Sequence, residues 1–228
     1  MGGGSISQLE NHSTFPDSPT VEKDAGYFEW PQSGDINVKP AGNVMDNYGV
    51  QMIGFLHPPE TGDYQFAIAA DDNAQLWLST DENPANKQLL ATEPQWNGVR
   101  AFEGGDRRGV RDEGTDDERF ENVSKFISLE AGKAYYVEAL MNEGGGGDNL
   151  AVAWTTGDAI VPDALPISGD YLSPWVPESG GDAASTILLD FAGTGANSAG
   201  ASPDPWISIN NLVMDEAVEL GGGVTITA

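Results

Sequence analysis

Two adjacent aspartates, Asp71 and Asp72, are the residues whose types and spacing point most directly to chemistry. Carboxylate oxygens are the ligands that a hard divalent cation such as calcium prefers. Successive side chains on an extended strand point to opposite faces, so neighbouring aspartates converge on one ion only if the backbone between them is unusual. We therefore predict a cis peptide bond between Asp71 and Asp72. The alternative is that the pair forms an ordinary polar turn.

A second oxygen-rich segment is the sequence EGGGGD at positions 143–148. Glycine adopts backbone conformations that can turn several carbonyl groups towards one point. Calcium takes roughly six to eight oxygen ligands, which three aspartates, a few carbonyls and water would supply. The alternative is a flexible turn between two strands. The candidate calcium ligands are Asp71, Asp72, Gly144, Gly145, Gly146 and Asp148.

Composition excludes several other classes of protein. The chain has 228 residues, with 10 basic and 36 acidic side chains and a net charge of −26. This charge disfavours nucleic-acid binding and binding to anionic membranes. There is no cysteine and there are only two histidines, which disfavours a zinc site. No apolar run reaches the ~18 residues of a membrane-spanning helix, so we expect no membrane insertion.

The elements that would position these carboxylates are strands. Residues 64–78 alternate apolar and smaller side chains and predict a central hairpin with the aspartate pair at its turn. Further strands are predicted at 27–30, 48–56, 87–91, 96–102, 123–129, 134–141, 150–154 and 169–172. No helical period persists for ten residues. The pattern predicts an all-β, antiparallel sandwich, with core residues Phe66, Ile68, Leu76, Leu78, Val137, Val152 and Trp154.

Composition also suggests a division of the chain. We predict a start or linker at 1–9, a sandwich domain at 10–176 and a Gly-rich linker at 177–184. Residues 185–228 are too short to bury a core of their own. They are interpreted as an incomplete second β module, or as strands docked on the first. The charged loop at 103–121 is either functional or a solvated flap.

Three segments together resemble a known family. They are Y-x-F-x-I-x-x-D-D-x-x-x-L-W-L at 64–78, G-x-x-Y-Y-x-E at 132–138 and L-x-V-x-W at 150–154. This set resembles the protective-antigen-type, or PA-fourteen, β-sandwich domain. In the lectin-type members found in fungal flocculins and bacterial adhesins, two aspartates joined by a cis peptide bind calcium, and the metal coordinates sugar hydroxyls. Asp71 and Asp72 match that pair, and residues 144–148 resemble the second loop of the bacterial adhesins.

The resemblance implies a calcium-dependent, carbohydrate-binding module of a secreted or cell-surface protein, monomeric within a larger chain. No nucleophile–base pair is recognisable, so we expect no catalysis. Two alternatives remain open: a spacer module stiffened by calcium, and an accessory domain of an extracellular polysaccharide-degrading enzyme. The candidate glycan-contacting residues are Asp71, Asp72, Gln75, Trp96 and Asp148.

Overall fold

A computed structural model describes residues 5–103 and 120–175, together with the backbone of four short strands beyond them. The elements are α1 (Ile6–Glu10), β1 (Val21–Lys23), β2 (Glu29–Trp30), β3 (Tyr48–Leu56), β4 (Gly62–Asp71), β5 (Asn73–Ser79), β6 (Lys87–Glu93), β7 (Ile127–Leu129), β8 (Tyr135–Glu143), β9 (Asn149–Thr156), β10 (Leu172–Ser173), β11 (Leu188–Leu189), β12 (Trp206–Asn210), β13 (Val218–Leu220) and β14 (Val224–Ile226). The predicted linker at 177–184 and most of the charged loop at 103–121 lie outside the described residues.

The domain is a sandwich of two sheets. The larger sheet has the strand order β1-β11-β12-β3-β8-β5-β6, with β10 also paired to β3, and the smaller has the order β2-β9-β4-β7. Every pairing among β2 to β10 is antiparallel. The predicted all-β antiparallel sandwich is therefore confirmed. Among the described residues, no helix has the length and apolar character needed to span a membrane.

The core lies between the two sheets and contains the side chains that alternation placed there. Phe66, Ile68, Leu76 and Val152 are fully buried, while Val137 is 1% and Leu78 4% exposed. Trp154, the seventh predicted core residue, is only partly buried and packs against this cluster. Its ring centroid lies 4.9 Å from that of Tyr64, so it packs at the edge of the core.

The two turns that were predicted as hairpin turns have a different geometry. Strands β4 and β5 belong to different sheets, and so do β8 and β9. The aspartate pair and the glycine run therefore each carry the chain from one sheet to the other. Alternating apolar residues indicate which face of a strand is buried, but they do not indicate which sheet the next strand joins.

The predicted strand at 96–102 is wrong. Within this segment, Trp96 forms an isolated bridge to Asp71, and residues 97–102 are a loop with a turn at 99–100. Arg100 has φ 55° and is 3% exposed. Its Nε and Nη2 atoms each lie 2.6 Å from a carboxylate oxygen of Glu29. The segment is thus held by a buried ion pair with a residue far away in sequence, and not by a strand ladder.

The C-terminal strands extend the larger sheet. Strand β12 pairs in parallel with β3 and with β1, and β11 pairs antiparallel with both β1 and β12. Strands β13 and β14 pair only with each other in the described part of the chain. The proposed boundary between a sandwich domain and a second module stays a prediction.

Candidate metal site

Three segments meet at one end of the sandwich. The turn between β4 and β5 lies beside the turn between β8 and β9, because Asp71 is in register with Asn149 and Asn73 with Asn142. The loop before β3 joins them, since Tyr48 pairs with Glu143. Loops grouped at one end of a rigid sandwich are a common place for binding sites.

Three carboxylates converge where these segments meet. Side-chain oxygens of Asp71, Asp72 and Glu143 all lie within 4.8 Å of one another. The Asp71–Asp72 peptide bond is cis, as predicted. Asp72 is 9% exposed and Asp71 is half-buried, so the cluster has one side towards solvent.

Glu143 is the most unusual member of this cluster. It is 2% exposed, and neither of its carboxylate oxygens accepts a well-formed hydrogen bond. A buried carboxylate without partners is costly, and such groups are normally paired, protonated or bound to a metal. In the folded chain Glu143 is therefore either protonated or bound to a cation.

Burial and the closeness of the carboxylates also raise the pKa values of Glu143 and Asp71. Burial raises the pKa of Glu143 to about 8, and the charges of Asp72 and Asp71 add to the rise, which the nearby Asp72 backbone amide partly offsets. Burial and the adjacent Asp72 carboxylate raise the pKa of Asp71 to about 7. Like charges held close together in a desolvated place resist ionisation unless an opposite charge joins them.

Asp148, a predicted ligand, lies outside this three-carboxylate cluster in the structure. It is fully buried. Its Oδ1 accepts from the Val44 backbone amide at 2.8 Å, and its Oδ2 accepts from the Met45 amide at 2.9 Å and the Tyr48 hydroxyl at 2.8 Å. Burial raises its pKa, while these three donors lower it. The carboxylate thus ties the glycine run to the loop before β3.

The glycine run packs tightly against the aspartates. The Gly144 amide donates to Asp72 Oδ2 at 3.0 Å, and the Gly146 amide donates to Asp46 Oδ1 at 3.0 Å. A Cβ atom on Gly147 would lie 2.6 Å from Asp71 Oδ2. A side chain at that position would therefore displace the Asp71 carboxylate from its place in the cluster.

Gln75 and Trp96, the two candidate sugar-contacting residues that are not also candidate calcium ligands, occupy different places. Trp96 forms a β-bridge with Asp71 and is partly exposed, so it borders the cluster. Gln75 lies on β5 with its neighbours Ala74 and Leu76 facing the core. Its side chain therefore lies on the outer face of the larger sheet, and the structure does not place it with the carboxylates.

Sequence reasoning missed three residues at this end of the domain. Glu143 follows Val137, Ala139 and Met141 in the alternation of β8, so the sequence places a carboxylate on the core-facing side of a strand. A charged residue in such a position is rare unless it is paired, and this could have indicated a functional role. Asn149 is 2% exposed, and its side-chain oxygen is buried without a hydrogen-bond partner. Asp46 lies about a hundred residues before its partner Gly146, and no sequence pattern indicated that contact.

The donor set is made of oxygen and matches a hard cation. The carboxylates of Asp71, Asp72 and Glu143 are oxygen donors of the kind that calcium accepts. Zinc sites favour histidine and cysteine, and the chain has two histidines and no cysteine. The residues present therefore fit calcium better than zinc.

The fold and this corner site define a β-sandwich domain of a recognisable kind. The family model described as the PA14 domain matches residues 9–165. The chain belongs to the PA14 domain family.

Comparison with known proteins gives one similar mouse protein, N-acetyl-beta-glucosaminyl-glycoprotein 4-beta-N-acetylgalactosaminyltransferase 1. It is 33% identical over 162 residues, which are 67% of this chain and 13% of the mouse protein. The chain thus spans a small part of that relative.

Two solved structures are similar at a lower level. An anti-sigma factor domain-containing protein from Clostridium clariflavum has a TM-score of 0.35 and 19% identity, covering 57% of this chain and 33% of the other. The Epithelial Adhesin 6 A domain from Candida glabrata, in complex with Galb1-3GlcNAc, has a TM-score of 0.34 and 17% identity, covering 60% and 49%. Both TM-scores are low, and the family assignment comes from the sequence match.

Proposed function

We propose that this chain is a non-catalytic, calcium-dependent carbohydrate-binding domain of a secreted or cell-surface protein. The observation that carries the proposal is the convergence of Asp71, Asp72 and the unpaired, buried Glu143 at the corner between the two sheets. Carbonyl oxygens of Gly144, Gly145 and Gly146 would complete the set of protein ligands. The expectation that Asp148 is also a ligand stays a prediction.

Calcium in such a place would supply coordination positions to two neighbouring hydroxyl groups of a sugar. Asp71 is half-buried and lies on the solvent side of the cluster, which gives a small ligand access. Trp96 beside it would offer an apolar surface to the sugar ring. Membership of the PA14 domain family and the glycoprotein substrate in the mouse relative's name both agree with a glycan ligand.

Two other roles remain to be separated from this one by experiment. A structural spacer would bind calcium without binding sugar. An accessory domain of an extracellular polysaccharide-degrading enzyme would bind sugar but would act only alongside a catalytic domain. The mouse relative, of which this chain spans 13%, is named as a transferase and not as a degrading enzyme.

The test uses calorimetry on the chelator-treated chain, with calcium titrated first and then glucose, galactose, mannose and fucose. We expect the wild type to bind calcium and at least one sugar at a dissociation constant on the order of millimolar, about −4 kcal/mol. Asp72→Ala removes one carboxylate of the cluster and is expected to abolish both. Glu60→Ala, which removes an exposed carboxylate in the turn between β3 and β4, is expected to change neither.

The outcomes separate the candidate functions. Sugar binding that survives EDTA or the Asp72→Ala change would place the glycan site elsewhere. Calcium binding without any sugar binding would favour the spacer. Absence of calcium binding to the wild type would refute the proposal.

A further inference from the structure

The loop before β3 is part of the same surface as the proposed calcium site. Tyr48, the first residue of β3, pairs with Glu143, so the chain leading into β3 runs beside the glycine run. The Asp148 backbone amide donates to the Gly42 carbonyl at 3.2 Å, and the Asp148 carboxylate binds the Val44 and Met45 amides. The loop and the glycine run are therefore held together as one unit.

Tyr48 fixes this unit to the core. Its side chain is fully buried, donates to Asp148 Oδ2 at 2.8 Å and accepts from Trp30 Nε1 at 3.2 Å. A buried network in which the polar atoms are matched makes a rigid support. Residues 42–48 are thus presented at a fixed position next to the carboxylate cluster.

Asp46 is the acidic side chain of this loop that faces solvent. Its Oδ1 accepts from the Gly146 amide at 3.0 Å, and no hydrogen bond joins its Oδ2 to the residues that the structure describes. Gly147, which follows Gly146 in the chain, packs against Asp71. Because adjacent Cα atoms lie about 3.8 Å apart, Asp46 and Asp71 contact the glycine run at neighbouring positions.

We propose that Asp46 is a specificity-determining residue of the carbohydrate site, accepting a hydrogen bond from a third sugar hydroxyl and excluding anionic sugars. This inference rests on the proposed function. Asp46 is exposed and is held against the glycine run that borders the carboxylate cluster, so a sugar bound at the cluster through two hydroxyls could present a further hydroxyl to it. A hydrogen bond to an ionised acceptor is stronger than one between neutral groups.

The same charge acts against acidic ligands. The carboxylate of a uronic or sialic acid brought next to Asp46 would meet a like charge, in a chain whose net charge is already −26. The class of ligand that fits is therefore a neutral sugar with at least three free hydroxyl groups near one another.

The test compares Asp46→Asn with the matched control Glu60→Gln, which makes the same change of charge in the turn between β3 and β4. An asparagine keeps an acceptor for the Gly146 amide but removes the charge. Calcium affinity is measured by calorimetry, and binding of glucose, glucuronate, galactose and galacturonate is measured by ligand-observed NMR in saturating calcium.

We expect Asp46→Asn to bind calcium within about twofold of the wild type and to bind the neutral sugar about tenfold more weakly. We also expect its preference for the neutral sugar over the matching uronate to shrink. Glu60→Gln should match the wild type in all these measurements.

Three results would overturn the inference while leaving the proposed function intact. They are sugar affinities of Asp46→Asn equal to those of Glu60→Gln, a wild type that binds uronates as well as neutral sugars, and a loss of sugar binding fully explained by lost calcium. A wild type that binds calcium and no sugar would overturn both the inference and the proposed function.

Discussion

Glu143 shows how strongly the free energy of one side chain depends on its surroundings. Its carboxylate is 2% exposed and lies with Asp71 and Asp72 in one cluster. The raised pKa, about 8 against an ordinary 4.5, means that the folded chain holds this proton more tightly than the unfolded chain. In the calcium-free state the protonated group contributes stability that is fully present below pH 4.5 and is lost as the pH rises to about 8.

The prediction at this scale concerns Glu143→Gln. Without calcium, the melting temperature of the wild type should fall between pH 5 and pH 9, as expected from about 4.5 and about 8 as the unfolded and folded pKa values. The variant should show a smaller fall, because it has no charge to bury. In calcium, the variant should bind the ion at least about tenfold more weakly, since it loses one charged ligand.

Thermal denaturation with EDTA across this pH range, and calorimetry with calcium, measure the two effects. Parallel melting curves of wild type and variant against pH would contradict the assigned surroundings of Glu143. Unchanged calcium affinity would remove Glu143 from the ligand set.

At the scale of elements, the glycine run is shaped by what lies against each glycine. A Cβ on Gly147 would lie 2.6 Å from Asp71 Oδ2, whereas a Cβ on Gly145 would meet Asp46 at an ordinary contact distance of 3.7 Å. The glycines of this run therefore differ in what an added side chain would displace.

Gly147→Ala and Gly145→Ala form a matched pair for this reason. Both changes reduce the freedom of the unfolded chain equally, so their difference reports on the folded state. We expect Gly147→Ala to displace the Asp71 carboxylate and weaken calcium binding at least about tenfold. The melting temperature without calcium should change little, because only the end of a flexible side chain has to move. Gly145→Ala should bind calcium like the wild type, and equal calorimetric affinities for the two variants would refute this explanation.

These elements also show what a single sequence predicts. The bounds Tyr48–Leu56 predicted for β3 are those of the structure, because the turn residues that follow, beginning with Pro58 and Pro59, are a local signal that ends a strand. The Asp71–Asp72 pair alone also suits an ordinary polar turn, and it was informative because the segment 64–78 around it resembles the PA-fourteen family. Asp148 and Arg100 were not predictable, since their partners lie about a hundred and about seventy residues away. Whether a turn closes a hairpin or crosses between sheets depends on such distant contacts.

At the scale of the whole molecule, core and site occupy one continuous part of the chain. The main buried cluster runs from Ala25 to Ile167, and the family match covers residues 9–165. Strand β12 contributes five residues to the larger sheet beside β3. Within the described residues, the main buried cluster, apart from Ile167, and the three-carboxylate cluster thus both lie in the part of the chain that the family model matches.

Truncation after residue 176 tests this division. We expect unchanged calcium affinity and a melting temperature lower by a few degrees at most, because 1 kcal/mol corresponds to roughly 2–4 °C in a domain of this size. Differential scanning calorimetry on the full and truncated chains measures the shift. A decrease of more than about ten degrees would show that β12 is an integral strand of the sandwich.

The two crossings between the sheets have a mechanical consequence. The turns at Asp71–Asp72 and at 144–148 both connect the larger sheet to the smaller one, at the same end of the domain. A ligand anchored to a distant surface and bound between them would pull on both sheets at once. Such a load would be shared by strands β4, β5, β8 and β9 instead of peeling a single hairpin from the edge, so the domain would resist tension best along the direction in which it binds.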